Sequence, residues 1–105
     1  MGTVTMCRRA GKLELGLDMA KIACKNGSAY CCLAATDLSK KTLKELKFVC
    51  YKNDVTLLSL GIPMDEVWSA LGKRAGIMAV TDKGFSGSLE KNLEKIEINE
   101  DEFYI

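Results

Sequence analysis

The sequence contains no histidine, one proline, no Cys-x-x-Cys pair and no long apolar run. Each absence removes a class of function. Without histidine the commonest general base is missing, and so is any Ser-His or Cys-His nucleophile pair. No run approaches the roughly 18 apolar residues that a membrane-spanning helix needs. Met1 to Arg9 lacks the basic, then apolar, then small-residue order of a secretory signal, so a cytosolic address is expected. Nucleophile-elbow, GxxxxGK[ST] and GxGxxG patterns are also missing. Gly72-Lys73-Arg74-Ala75-Gly76 matches a phosphate loop in composition only, because it runs from a helix into a strand, the reverse of the order that aims backbone amides at phosphate. The expectation is a non-enzyme with no cofactor and no small-molecule substrate.

Five cysteines are present, Cys7, Cys24, Cys31, Cys32 and Cys50. With no histidine as co-ligand, a zinc site needs four thiolates drawn from scattered elements. Cys31 and Cys32 are adjacent in a strand-like run, where successive side chains face opposite ways and cannot share a metal or a bridge. The cysteines are therefore read as small hydrophobes in a reducing compartment, with no metal site expected.

What remains is ordinary globular material. The chain has 105 residues, 48% hydrophobic and 28% charged, enough for one domain with one modest core. Its net charge of +1 conceals an uneven distribution. All 15 Lys and Arg lie at or before Lys95, while Glu97, Glu100, Asp101 and Glu102 lie beyond it. Without those four, ten acids face fifteen bases, so residues 1–95 form a basic domain of about +5 and residues 96–105 an acidic tail. A basic body fits an anionic partner, and it also lies within ordinary solubility limits.

Short strand-like runs alternate with helical ones. Val4–Arg9 reads as a helix, Lys12–Leu15 as a short strand, and Leu17–Asn26 as a helix with Met19, Ile22 and Ala23 on one face. Ala29–Ala35 is a continuous apolar run that fits a strand covered on both faces. Asp37 or Ser39 can cap a helix over Lys40–Lys52, whose apolar stripe is Leu43, Leu46, Val49 and Cys50, with Lys40, Lys44 and Lys47 turned outward. Val55–Ser59 is a strand, and Pro63 suits the first position of a helix burying Met64, Val67, Trp68 and Leu71. Ile77–Thr81 is the last strand, followed by a helix to about Lys95 capped by Ser86 or Ser88. Residues 96–105 are a tail or a terminal strand using Phe103, Tyr104 and Ile105. The alternation predicts an α/β domain with a small central sheet between helices.

Two loops are candidate binding elements. The first spans Arg8-Arg9-Ala10-Gly11-Lys12 with Gly16-Leu17-Asp18, where small residues permit close approach and a helix N-terminus offers unpaired amides. The second is Lys73-Arg74 between glycines. Each taken alone is an ordinary solvated turn.

The order of motifs adds to this. Arg9-Ala10-Gly11-Lys12-Leu13, Gly16, Lys25-Asn26-Gly27, Asp37 to Thr42, Cys50-Tyr51, Val55, Ser69 to Lys73, Ala79 to Asp82 and Gly84-Phe85 follow one another over about residues 3–93. The series resembles the bacterial, ribosomal-protein-like branch of the kink-turn RNA-binding family, which includes an archaeal large-subunit ribosomal protein and the eukaryotic-type ribosomal protein thirty. The resemblance implies a three-layer α-β-α sandwich around a four-stranded mixed sheet. It also implies binding of structured RNA, such as ribosomal RNA, through the loop before the second helix, that helix's N-terminus and the loop before the last strand. Residue by residue this maps to Gly11, Lys12, Gly16, Leu17, Asp18, Lys21, Lys73 and Arg74. Relatives that bind kink-turns carry Asn-Glu after the helix-opening glycine and a Lys one turn later; here the matching positions hold Asp18, Met19 and Ile22. Altered RNA specificity is the expectation, and a protein-interaction module that has lost RNA binding is the alternative.

Overall fold

The run Cys31-Cys32-Leu33-Ala34 has no polar side to turn toward water, so it must be covered on both faces. In the computed structural model, which describes residues 1–103, it forms strand β2 (Cys31–Ala34), buried throughout. The other elements, in chain order, are α1 (Gly2–Arg9), β1 (Leu13–Leu15), α2 (Leu17–Lys25), α3 (Lys40–Asn53), β3 (Thr56–Ser59), α4 (Met64–Leu71), β4 (Ile77–Val80), α5 (Lys83–Asn92) and a 3-10 turn at Glu100–Phe103. The sheet order is β1-β4-β2-β3, with β4 antiparallel to β1 and β2, and β2 parallel to β3 through the α3 crossover.

Alternation along β2 divides the core in two. Cys31 and Leu33 pack with Val4 and Cys7 of α1, Val67 and Leu71 of α4, and Leu89 of α5. Cys32 and Ala34 pack on the other face with Ala20, Ala23 and Cys24 of α2 and Leu46, Val49 and Cys50 of α3. The result is the expected three-layer α-β-α sandwich around a four-stranded mixed sheet.

Several sequence expectations are corrected. The buried stripe of α2 is Ala20, Ala23 and Cys24, while Met19 and Ile22 are exposed. Small residues let the helix lie close to α3 and the sheet, and the larger apolar ones are rotated outward. Trp68 is 53% exposed, because Val67 and Leu71, four residues apart, already form the inward line of a two-turn helix. Pro63 stands at the N-cap of α4 and not inside its first turn. Helix α5 is capped by Asp82, whose carboxylate accepts from the Phe85 amide at 2.9 Å, so Ser86 and Ser88 fall within the helix.

Residues 94–103 pack along the body. The Ser59 amide donates to the Glu94 carbonyl (2.8 Å) and the Ile96 amide to the Leu57 carbonyl (2.9 Å), so this stretch lines the outer edge of β3. Ile96 and Ile98 then cover the α2–α3 side of the core. Phe103 meets Phe48 edge-on at 5.3 Å and Tyr51 at 5.5 Å, and Glu102 pairs with Lys47 at 3.1 Å. Phe103 thus belongs to a 3-10 turn and not to a strand; Tyr104 and Ile105 lie outside the described residues.

Candidate functional site

The start of α2 is fixed by its first glycine. Gly16 has φ 96° and ψ 159°, a region open essentially to glycine alone, and its amide donates to the Ile77 carbonyl at 2.8 Å. That bond pins the helix N-terminus beside the start of β4. Since Gly16 has no side chain to cap the helix, the first-turn amides of Leu17, Asp18 and Met19 face outward without intrahelical partners. Five residues before Ile77, the chain leaves α4 through left-handed Gly72 (φ 71°) and makes the exposed Lys73-Arg74 turn.

Two loops far apart in sequence therefore meet. Gly16 and Leu17 form one wall of an open hollow of about 640 Å³, Lys73, Arg74 and Gly76 a second, and Asp37, Leu38 and Ser39 a third. Arg74 lies 4.0 Å from Asp65, but both side chains are well exposed, so the pair contributes little and the guanidinium stays available. Asp18 is exposed in the first turn of α2, where its carboxylate complements the helix dipole.

Asp18 and the remaining predicted residues do not line this hollow. Gly11 and Lys12 are exposed at the opposite end of β1, where the Thr81 amide donates to the Lys12 carbonyl at 2.9 Å. Because Leu13 pairs with Val80 and Leu15 with Met78, Lys12 and Gly16 are separated by the length of the strand, on the order of 13 Å. Lys21 leans toward α3 and binds Glu45 at 3.2 Å.

Residues of the β2–α3 connection were not among the predicted site residues. Ser39 caps α3 by accepting from the Thr42 amide (3.1 Å), whereas Asp37 reaches across to accept from the Met64 amide (3.0 Å), tying the hollow's third wall to α4. Gly76 lies under this contact: a Cβ there meets Leu38 Cδ2 at 2.7 Å and Met64 Sδ at 2.9 Å. An Asp beside a Ser cap was the available signal, but its target is 27 residues away and no local pattern specifies it.

A second chemistry-bearing group lies inside. The sulfurs of Cys24, Cys32 and Cys50 are all within 4.8 Å of one another, and Cys24 Sγ lies 3.5 Å from Cys32 Sγ. Hydrogen bonding with Cys32, then with Cys50, lowers the pKa of Cys24, while the contact with Cys24 raises the other two. On the opposite face of the sheet burial pushes Cys7 and Cys31 up to about 11.

No family model matches the sequence, and no curated protein matches it. Among solved structures the chain is similar to a protein of unknown function from Bacillus halodurans C, with a TM-score of 0.79 and 24% identity over 85% of this chain and 90% of that one. The likeness establishes the α/β fold. No helix among the described residues is long and apolar enough to cross a membrane.

Proposed function

We propose that the protein is a non-enzymatic, cytosolic RNA-binding protein that acts on structured RNA, of ribosomal or kink-turn type, with altered specificity. The observation that supports this reading is the convergence of the uncapped α2 N-terminus and the Lys73-Arg74 turn on one hollow. The two walls have complementary roles. Lys73 and Arg74 neutralise crowded phosphates, and the amides of Leu17 and Asp18 donate to the edges of an exposed base. The Asp18 carboxylate repels phosphate but accepts from a base amino or imino group, which places the base and not the backbone at the helix start. Leu17 supplies apolar contact to a splayed base.

The test is binding of the full chain to a panel of kink-turn and ribosomal RNA fragments between about 50 and 200 mM salt. Binding should weaken steeply with salt. The K73E/R74E variant should bind far more weakly, with the slope of log affinity against log salt reduced by about 1 to 2. Lys12→Glu should have the smaller effect, since Lys12 is at the other end of β1. Salt-insensitive binding, or none to any fragment, would overturn the proposal.

The exposed apolar pair Met19 and Ile22 on α2 favours a second reading, a module that docks a partner protein on that face. Ile22→Lys separates the two. It should add about one phosphate contact and strengthen RNA binding under the first reading, and abolish partner docking while leaving RNA unbound under the second.

A further inference from the structure

We propose that Cys24, Cys32 and Cys50 form a binding site for a soft monovalent metal cation of the Cu(I) class. The three thiols come from three different elements, α2, β2 and α3, which the sandwich holds against one another in one face of the core. Thiolate sulfurs bind such metals at about 2.3 Å, so three of them around one ion stand about 4 Å apart. The observed separations, 3.5 Å for Cys24 and Cys32 and none above 4.8 Å, need only small rotamer adjustments to reach that triangle.

The donor set selects the ion. It contains sulfur alone, which disfavours calcium and magnesium, both of which require oxygen. Among the described residues it offers three ligands and no fourth: the chain has no histidine, no carboxylate joins the group, and the remaining cysteines, Cys7 and Cys31, pack on the other face of the sheet. Zinc in a closed site takes four ligands, whereas a three-coordinate, all-sulfur pocket suits a soft ion such as Cu(I). Each thiol must ionise to bind, so loading releases thiol protons to solvent and uptake strengthens as pH rises. Cys50, with Tyr51, Asp54 and Ile96, lines a surface hollow of about 270 Å³ beside the α3–β3 turn, but Cys50 is itself fully buried, so entry of the ion requires local opening there.

The experiment is anaerobic titration of the reduced full chain with Cu(I) against a chromophoric Cu(I) chelator, followed by X-ray absorption on the loaded protein. One equivalent should be withheld from the chelator, with a sulfur-only shell of three ligands. Cys24→Ala and Cys50→Ala should each weaken uptake by more than the about 10- to 100-fold that loss of a supporting residue costs. The double variant C7A/C31A should retain it. If the cysteines serve only as small apolar filler, the wild-type chain yields its copper to the chelator, or uptake follows Cys7 and Cys31 instead; either result overturns the proposal. The absorption spectrum of the wild-type chain decides the matter even if a variant fails to fold, because nitrogen, oxygen or only two sulfurs in the shell is equally fatal. None of these readouts depends on RNA binding.

Discussion

At the scale of single residues, the site rests on glycines whose reasons differ. Gly16 occupies a backbone region closed to other residues, yet no atom lies within 4 Å of the position a Cβ would take. Gly16→Ala should therefore act through the backbone alone, costing about 1–3 kcal/mol. Urea unfolding should show a lower midpoint with an unchanged slope. Gly76 is the opposite case, with an ordinary backbone and no room for a methyl group. Cys7 offers a test of pH dependence. Its thiol is buried, donates to the Lys12 carbonyl at 3.2 Å, and is pushed from 9.0 to about 11 by desolvation, with the Asp82 charge adding to the effect. A thiol whose folded pKa is raised favours the folded state fully below the unfolded value and loses that contribution as pH climbs past it. Thermal stability should fall between pH 9 and 11, and Cys7→Ala should flatten that part of the profile.

At the scale of elements, hydrophobic period and turn chemistry located every helix and strand of the sheet to within a few residues. The continuous apolar run of β2 and the Ser39 cap of α3 are strong local signals that owe nothing to distant contacts. Facing was less legible. In α2 both the Met19–Ile22–Ala23 line and the Ala20–Ala23–Cys24 line are apolar, and the choice between them depends on how closely α3 approaches, which is a tertiary fact. The outward facing of Trp68 was illegible for the same reason: on a helix of eight residues, a rotation by one residue, about 100°, decides which of two apolar lines is inward. Sequence order could name the two candidate loops but not show that Gly16 and Lys73 share a hollow while Lys12 does not. That follows from the antiparallel pairing of β1 with β4. The cysteine cluster was illegible likewise, since its members are joined only when both helices pack on one face of β2.

At the scale of the whole molecule, the charge asymmetry has a spatial meaning. The acidic segment does not shield the Lys73-Arg74 turn; it folds onto α3, where Glu102 pairs with Lys47 and borders a hollow shared with Lys40 and Lys44. The chain's own acids thus neutralise one basic face. Removing residues 99–105 deletes Glu100, Asp101 and Glu102 and takes the net charge from +1 to about +4, while leaving Ile96 and Ile98 in place. The shortened chain should elute from heparin at higher salt and bind unstructured RNA more tightly, with its circular dichroism retained. The same segment governs assembly in time. Because residues 94–96 occupy the outer edge of β3 and are made after every strand of the sheet, that edge stands bare on a growing chain until synthesis has passed them. A bare edge recruits strands from other chains, so the nascent protein is most prone to aggregation in that interval, and the finished one carries its own protection on that side.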